Sequence, residues 1–516
     1  MKRKVISLLL TAGLLGTMLT GCGGGSQGTA GDTGSSDAAG TESGAASGAD
    51  NGDAQEGDPY TVAIQIVNVT TDQTDIEMVE EAINEITVPA INCKVDIQNI
   101  FIGDLPTTTS MNVVSGDKMD IVCVGRTQKI HDIADDGILL PLDDYLQYAP
   151  AYVDLVKDYL EVGKVDGVQL ALPVHPYLAR SSGFVYNKDM ADEYGIELKD
   201  GATFDDLTAA FAVLKEHGVY GTSFGEATSC QAPLYYNVEV FGSNGEYGMI
   251  QDPVNSTTVE SFYGSDLFKN FCYQAKAWAD AGYIPSDSLT DTTSVQEYIT
   301  MEKVFGCATA YDMSEYATWQ SGQPFTVDII QLVDPLVTTS SVVELMWGLA
   351  STCENPQKSM EFLNYMYENP AVADLLKYGI EGQHYTIAEG TERVTTTEGS
   401  TTGNNGYASM FTHFGNPMDT LTATPNTDEY PERVKEFNEG VQSSAVLGYA
   451  FDPSEYSAES GAISNVIAEY LPRVHVGQVE DVDAYLAEFL EKLDAAGYSD
   501  VVAGNQAQVD AFLAGE

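Results

Sequence analysis

Apolar positions recur along the chain in runs of two kinds, one suited to strands and one to helices. "YTVAIQIV" (60–67) is a short β-branched run, the pattern of a strand buried on both faces. In the following "TDIEMVEEAINEIT", Ile76, Val79, Ile83 and Ile86 fall at spacings of three, four and three, which places them on one face of a helix. Thr74 or Asp75 is its expected cap and Pro89 its expected stop. "CKVDIQNIFI" (93–102) and "MDIVCVG" (119–125) read as a second and a third strand. Strand, helix, strand at this spacing predicts βαβ units and a mainly parallel sheet. A second such region begins near Leu172 with "SSGFVYNKDMADEYG" and continues into a helix, "FDDLTAAFAVLKEHG", capped by Thr203 and ended by Gly218. "GVYGTSFG" is the next expected strand end. The pattern predicts two α/β lobes rather than one large sheet, and no short-period repeat is present.

The N-terminus has a different character. Lys2, Arg3 and Lys4 precede an apolar run from Val5 to Leu19, and small residues then lead to Cys22. This is the form of a secretory signal over residues 1–21, too short for a spanning helix. Leu19-Thr20-Gly21-Cys22 looks like a bacterial lipobox, in which Cys22 becomes the acylated N-terminus. Several acyl chains hold a membrane far better than one. Residues 23–58 contain Gly, Ser, Ala, Thr, Asp and similar small or polar residues and no aromatic or large aliphatic side chain. Such a composition cannot repay the entropy of ordering, so 22–58 reads as a lipidated cysteine with a disordered tether.

The body that follows is long enough for two or three domains. The formal charge of −54, with only 23 Lys and Arg, makes nucleic acid a poor partner, because counterion release needs clustered cations. Membrane contact is expected through the anchor alone. No second long apolar segment follows residue 22, so the chain is not itself a permease. Cys93, Cys123, Cys230, Cys272, Cys307 and Cys353 show no C-x-x-C spacing, and most lie in apolar runs. They read as buried thiols, although an oxidising compartment would permit disulfides.

Signals for catalysis are weak. "GTSFG" (221–225) matches the G-x-S-x-G elbow with Ser223 as nucleophile, but Pro233 and aperiodic sequence follow where a helix is required. No two of the six histidines stand at i, i+4, and neither a phosphate-binding loop nor a calcium loop is present. No cofactor or metal is expected. The neighbouring acids Asp135-Asp136 and Asp143-Asp144 do not establish a carboxylate pair facing across a cleft. A cell-surface esterase or glycosidase remains the alternative reading.

Aromatic residues are more informative. With 29 Tyr, 18 Phe and 3 Trp, several gather with polar residues in "HPYLAR" (175–180), "PLYYN" (233–237), "YDMSEYATW" (311–319) and "EGQHY" (381–385). Flat rings rimmed by hydrogen-bonding groups suit sugars, which present apolar C–H faces and many hydroxyls.

These features together resemble a known family. "GDKMDIVCVGRTQKIHDIADDGILLPLDDYL" (116–146), "SSGFVYNKDMADEYGIE", "ENPQKSMEFLNYMYENPAVADLLKYGIEGQHY" (354–385) and "LGYAFDPSEYSAESGAISNVIAEYLP" (447–472) are similar to segments of the extracellular solute-binding lipoproteins of bacterial ABC importers. The similarity is to the family 1 sugar-binding type, in the oligosaccharide branch with "YGIEGxHY" and an "LGFxFDPSP"-like C-terminal domain. Glu455-Tyr456 departs from that branch, as do Tyr449 and Ala450. The resemblance implies an α/β, two-lobed type II periplasmic-binding-protein-like fold with the ligand cleft between its lobes. It implies lobe one at 59–173, lobe two at 174–336, a return to lobe one at 337–380, and a C-terminal region on lobe two at 381–516. The implied protein is monomeric, lipid-anchored on the outer face of the cell membrane and not an enzyme. It would deliver a carbohydrate to permease subunits and an ATPase that are separate chains. By position in the family, lobe one brings Asn68, Thr70, Gly125 and Arg126 to the cleft. Lobe two brings His175, Tyr177, Tyr236, Tyr311, Asp312 and Trp319, and the "EGQHY" segment adds His384.

Overall fold

The computed structural model describes residues 57–69, 73–224, 229–391, 393–396, 405–409 and 413–515. The signal, lipobox and nearly all of the tether read from the sequence lie outside these residues, as does Thr70.

The run at 60–67 forms the strand Tyr60–Asn68, buried from Val62 onward. Cys93–Phe101 pairs with it in parallel along its full length, from Tyr60 opposite Cys93 to Asn68 opposite Phe101. Ile121–Val124 lies parallel on its other side. Beyond comes Met346–Leu349, antiparallel both to Ile121–Val124 and to Ala171–Pro173. Four strands of this five-stranded sheet therefore share one direction, and the fifth, inserted from far along the chain, opposes them.

The helix between the first two strands spans Ile76–Ile91 and buries Val79, Ile83 and Thr87. It runs through Pro89 instead of stopping there, and Asn92 ends it in the left-handed conformation, its N–H closing on the Val88 carbonyl. Asp75 stands at the N-cap without a side-chain cap bond, because His384 holds its carboxylate at 3.1 Å.

The second sheet is antiparallel, with Ser181–Asn187 between Gly306–Tyr311 and Val327–Gln331. The helix Phe204–Glu216 covers it and starts as expected. Thr203 accepts from Asp206 N–H, and the Asp206 carboxylate accepts from Thr203 N–H at 2.8 Å, a reciprocal cap. Of the expected strand end at 218–225, the described residues 218–224 keep a single bridge, Tyr220 to Val304. Gly221 lies where a Cβ would come within 2.1 Å of the Phe211 ring, so packing against that ring shapes the segment.

Each sheet has its own core. One gathers Val62, Ile64, Val79, Trp347, Phe362 and the stacked rings of Tyr152 and Tyr367, 3.9 Å between centroids. The other gathers Phe184, Phe211, Phe271, Trp278 and Phe305. The helices Ser457–His475, Val482–Ala495 and Tyr498–Ala514 add Ile463, Ile467, Leu471, Phe489 and Val501 to this second core, whereas Tyr407 and Phe414 join the first. Each fully buried large side chain contributes about 1.5–3 kcal/mol. The six cysteines named above are free, five buried and Cys353 partly so.

Three segments between the sheets are hydrogen-bonded side by side. Arg180 exchanges both backbone bonds with Leu336, at 2.8 and 2.9 Å. Leu336–Val337 pairs in parallel with Gln442–Ser443. Chain crossings tied in this way can bend together as a hinge. Among the described residues, no helix is long and apolar enough to cross a membrane.

Candidate functional site

A cavity of about 360 Å³ opens where the two sheets meet. Its lining comes from six places. They are the crossing 174–180, the 312–318 turn after Gly306–Tyr311, residues 341–345 before Met346, the end of the helix Pro370–Tyr378, the 413–426 region and the helix Tyr430–Asn438. No single lobe could form it.

Its electrostatic centre is a chain of alternating charges. Arg180 Nη2 donates to Glu344 Oε2 at 2.7 Å, Arg180 Nη1 pairs with Asp312, and Arg126 pairs with Glu344 from the first sheet. Burial would raise the Glu344 carboxyl, but the Arg180 and Arg126 guanidiniums outweigh it and hold it below the usual carboxylate range. Gly125 makes this approach possible. Its φ is +117°, and a Cβ there would stand 2.3 Å from the Val343 carbonyl oxygen and 2.6 Å from that of Glu344.

Two imidazoles form another wall, with the His175 and His413 rings 5.7 Å apart. Burial first, and then the neighbouring cations, hold His175 well below its ordinary value. Burial also pushes His413 down to about 4. Both rings are therefore neutral at pH 7, and His175 Nδ1 is out of water with no partner among the described residues. Lys377 is buried, donates to Thr420 Oγ1 at 2.5 Å, and is pushed down to about 8 by burial. Tyr177, Tyr378, Tyr430 and Phe437 supply aromatic surface. Asn438 Oδ1 fixes the crossing by accepting from Ala179 N–H at 2.9 Å.

Of the residues expected at the cleft, His175, Tyr177 and Asp312 line this cavity, and Gly125 and Arg126 reach it through Glu344. Tyr311 stands behind it, edge-on to Phe437 at 5.7 Å. Asn68 is buried at its strand end, donating to Asn99 Oδ1 at 2.6 Å and to the Ala408 carbonyl at 3.0 Å. Tyr236 packs edge-on against Phe204 in the second core. Trp319 joins the apolar cluster of Ile299, Phe325 and Val327. His384 is buried, its Nδ1 accepting from Ile380 N–H at 2.9 Å and its Nε2 facing Asp75.

The sequence reading missed Arg180, Glu344, Lys377, His413 and Tyr430. Arg180 closes the "HPYLAR" stretch, and Glu344 is a lone acid in the apolar "SVVELMWGLA". A carboxylate entering a buried strand needs a cation, and that demand was the available signal. Ser223, the nucleophile of the hydrolase alternative, is buried. His475 is buried too, accepts from Gln231 N–H at 2.7 Å, and packs 5.7 Å from the Phe224 ring and 5.5 Å from that of Phe271. Among the described residues, no group of three or more His, Cys, Asp or Glu could hold a metal.

Comparison with known proteins agrees with this architecture. Residues 71–373 match the family described as bacterial extracellular solute-binding protein, and residues 445–514 match a domain of unknown function, DUF3502. A carbohydrate ABC transporter substrate-binding protein of Streptococcus pneumoniae serotype 4 is 26% identical over 487 residues, 89% of this chain and 92% of that protein. The crystal structure of the N-glycan transport solute binding protein NgtS from Streptococcus pneumoniae superposes with a TM-score of 0.74 at 23% identity, covering 88% of this chain and 99% of that one. An HMO-binding ABC-transporter-associated solute binding protein from Bifidobacterium longum infantis superposes with a TM-score of 0.59 at 15% identity, covering 88% and 99%. These likenesses give no support to the hydrolase alternative. The fold is the two-lobed one of solute-binding proteins, and the chain belongs to the bacterial extracellular solute-binding protein family.

Proposed function

We propose that this protein captures an oligosaccharide outside the cell and delivers it to the permease of an ABC importer, whose ATPase is a separate chain. The observation that carries the reading is the composition of the cavity. Aromatic faces of Tyr177, Tyr378, Tyr430 and Phe437 surround polar groups whose charges are already paired, Arg180 with Asp312 and Glu344. Such a lining suits hydroxyl-rich rings with apolar faces. The carbohydrate ABC transporter substrate-binding protein of Streptococcus pneumoniae supports the same class of solute. A ligand touching both lobes favours the closed form, and it drives closure only through that difference in affinity.

The N-terminal pattern supports retention at the membrane through acyl chains on Cys22, with 23–58 as the tether and the body a monomer at the outer face. Cys22→Ala should release the protein into the medium, and an unchanged membrane fraction would remove the anchor. The protein should do no chemistry on its ligand, and release of p-nitrophenol from ester or glycoside probes would contradict this. The principal test is calorimetry with Man1GlcNAc, Man5GlcNAc and milk oligosaccharides. Saturable heat with at least one glycan is expected, and its absence throughout the panel overturns the carbohydrate reading.

A further inference from the structure

The edge of the five-stranded sheet is longer than the cavity it helps to form. Four strands point the same way and Met346–Leu349 opposes them. One edge therefore carries, in spatial order, Phe101, Asn68, Arg126, Glu344 and His175. Glu344 and His175 line the cavity, and Arg126 is tied to it through Glu344. Four inter-strand steps of roughly 4.8 Å give this edge a length of about 19 Å, enough for several sugar rings end to end.

The far end of the edge is apolar and open. Phe101 is 38% exposed, and Val69, at the end of the neighbouring strand, is 48% exposed. An exposed phenyl ring alone would carry no meaning, since isolated apolar residues are common on surfaces. This ring, however, stands at the carboxyl end of a strand, on the side where sheets of this kind bind ligands. Its position is also set by the chain around it. The ring lies over Gly103, where a Cβ would come within 2.8 Å of Phe101 Cε1. Next to it, Thr127 Oγ1 donates to the Ile102 carbonyl at 3.4 Å, linking the Phe101 end to the residue beside Arg126. Asn68, between the two ends, is buried and bonded to Asn99 and the Ala408 carbonyl, so it offers no surface of its own.

We infer that this edge carries a distal glycan subsite, in which Phe101 stacks on a sugar ring several units from the one held in the cavity. The inference rests on the glycan reading above and adds a length requirement to it. A short glycan fills the cavity without reaching Phe101, whereas a long one meets the ring. The aromatic face offers a stacking surface that costs no charge and little side-chain entropy.

The test is calorimetry on the full chain, wild type, Phe101→Ala and Phe101→Trp, with Man1GlcNAc and Man5GlcNAc. If the wild type prefers another glycan series, its disaccharide and longest member take their place. Phe101→Ala should weaken the long glycan by about three- to tenfold while the short one is held as before, and Phe101→Trp should restore the long-glycan affinity. The ring is partly covered, so Phe101→Ala should lower the melting temperature modestly, and the unchanged short-glycan affinity is what reports an intact cavity. Equal losses for short and long glycans, or no loss for either, would overturn the subsite and leave the glycan reading standing. Absence of binding by the wild type to every glycan would instead remove the glycan reading, and the subsite with it.

Discussion

Arg180 donates to Glu344 at 2.7 Å, and the two belong to different sheets: Arg180 precedes Ser181–Asn187, and Glu344 leads into Met346–Leu349. A single contact thus joins the entry of one lobe to the re-entry of the other, at the cavity wall. Arg180→Ala should weaken glycan binding by about 1.5–3 kcal/mol, the range for a hydrogen bond to a charged group. Stability should change little, because the side chains are 40% and 29% exposed and solvent screens the pair. Calorimetry and thermal melts separate the two effects. Wild-type affinity in this variant would remove Arg180 from the site.

Acid should destabilise the protein through the buried histidines. Burial pushes His413 down to about 4, while an unfolded histidine titrates near 6.5. Between those values the unfolded chain binds more protons than the folded one, so stability rises with pH there. It should be complete above about 6.5 and fall as pH drops toward about 4. His475, pushed down to about 3 by burial, extends the loss in the same direction. Urea titrations at neutral pH and near pH 4.5 should show the midpoint falling, less steeply in His413→Gln. Identical slopes for the two proteins would exclude His413 as a source.

Gly125→Ala should be severe. The added Cβ would stand 2.3 Å from one backbone oxygen and 2.6 Å from another, at a φ of +117° that other residues resist. A loss of about 2–4 kcal/mol in stability is expected, with weaker glycan binding because Arg126 loses its approach to Glu344. A melting temperature equal to that of the wild type would show that the 343–344 backbone yields freely.

His384→Ala and Trp319→Ala should cost stability and spare affinity. His384 links Asp75 to the Ile380 backbone, and Trp319 covers the Phe325 cluster. Losses of about 1–3 kcal/mol in urea unfolding are expected for each. Reduced glycan affinity at unchanged stability would bring either residue back to the ligand.

The strands Tyr60–Asn68 and Cys93–Phe101 and the helices that start near Asp75 and Thr203 were legible because periodicity and caps are local signals. The stop at Pro89 was not, since the proline falls within the last turn and Asn92 supplies the actual end. At the site, His175, Tyr177, Asp312 and Arg126 were named, but Arg180, in the same short stretch as His175, was missed because nothing local marks it as the partner of Glu344. Glu344 and His413 come from distant segments, and no local pattern announces a pairing between residues so far apart. Aromatic clustering could not separate cavity rings from core rings. Tyr177 lines the cavity, but Tyr236 and Trp319 carry the same composition signal and pack into apolar clusters.

The late arrival of Met346–Leu349 between Ile121–Val124 and Ala171–Pro173 has a kinetic consequence. Until residues 346–349 are available, both flanking strands present open hydrogen-bonding edges to any other chain nearby. Loop closure over that separation is slow compared with local helix formation, so the first lobe cannot finish before much of the second has been laid down. A chain emerging from its N-terminus would spend that interval with two sticky edges exposed. The surplus of negative charge, −54 over the whole sequence, gives such half-made chains mutual repulsion while they wait.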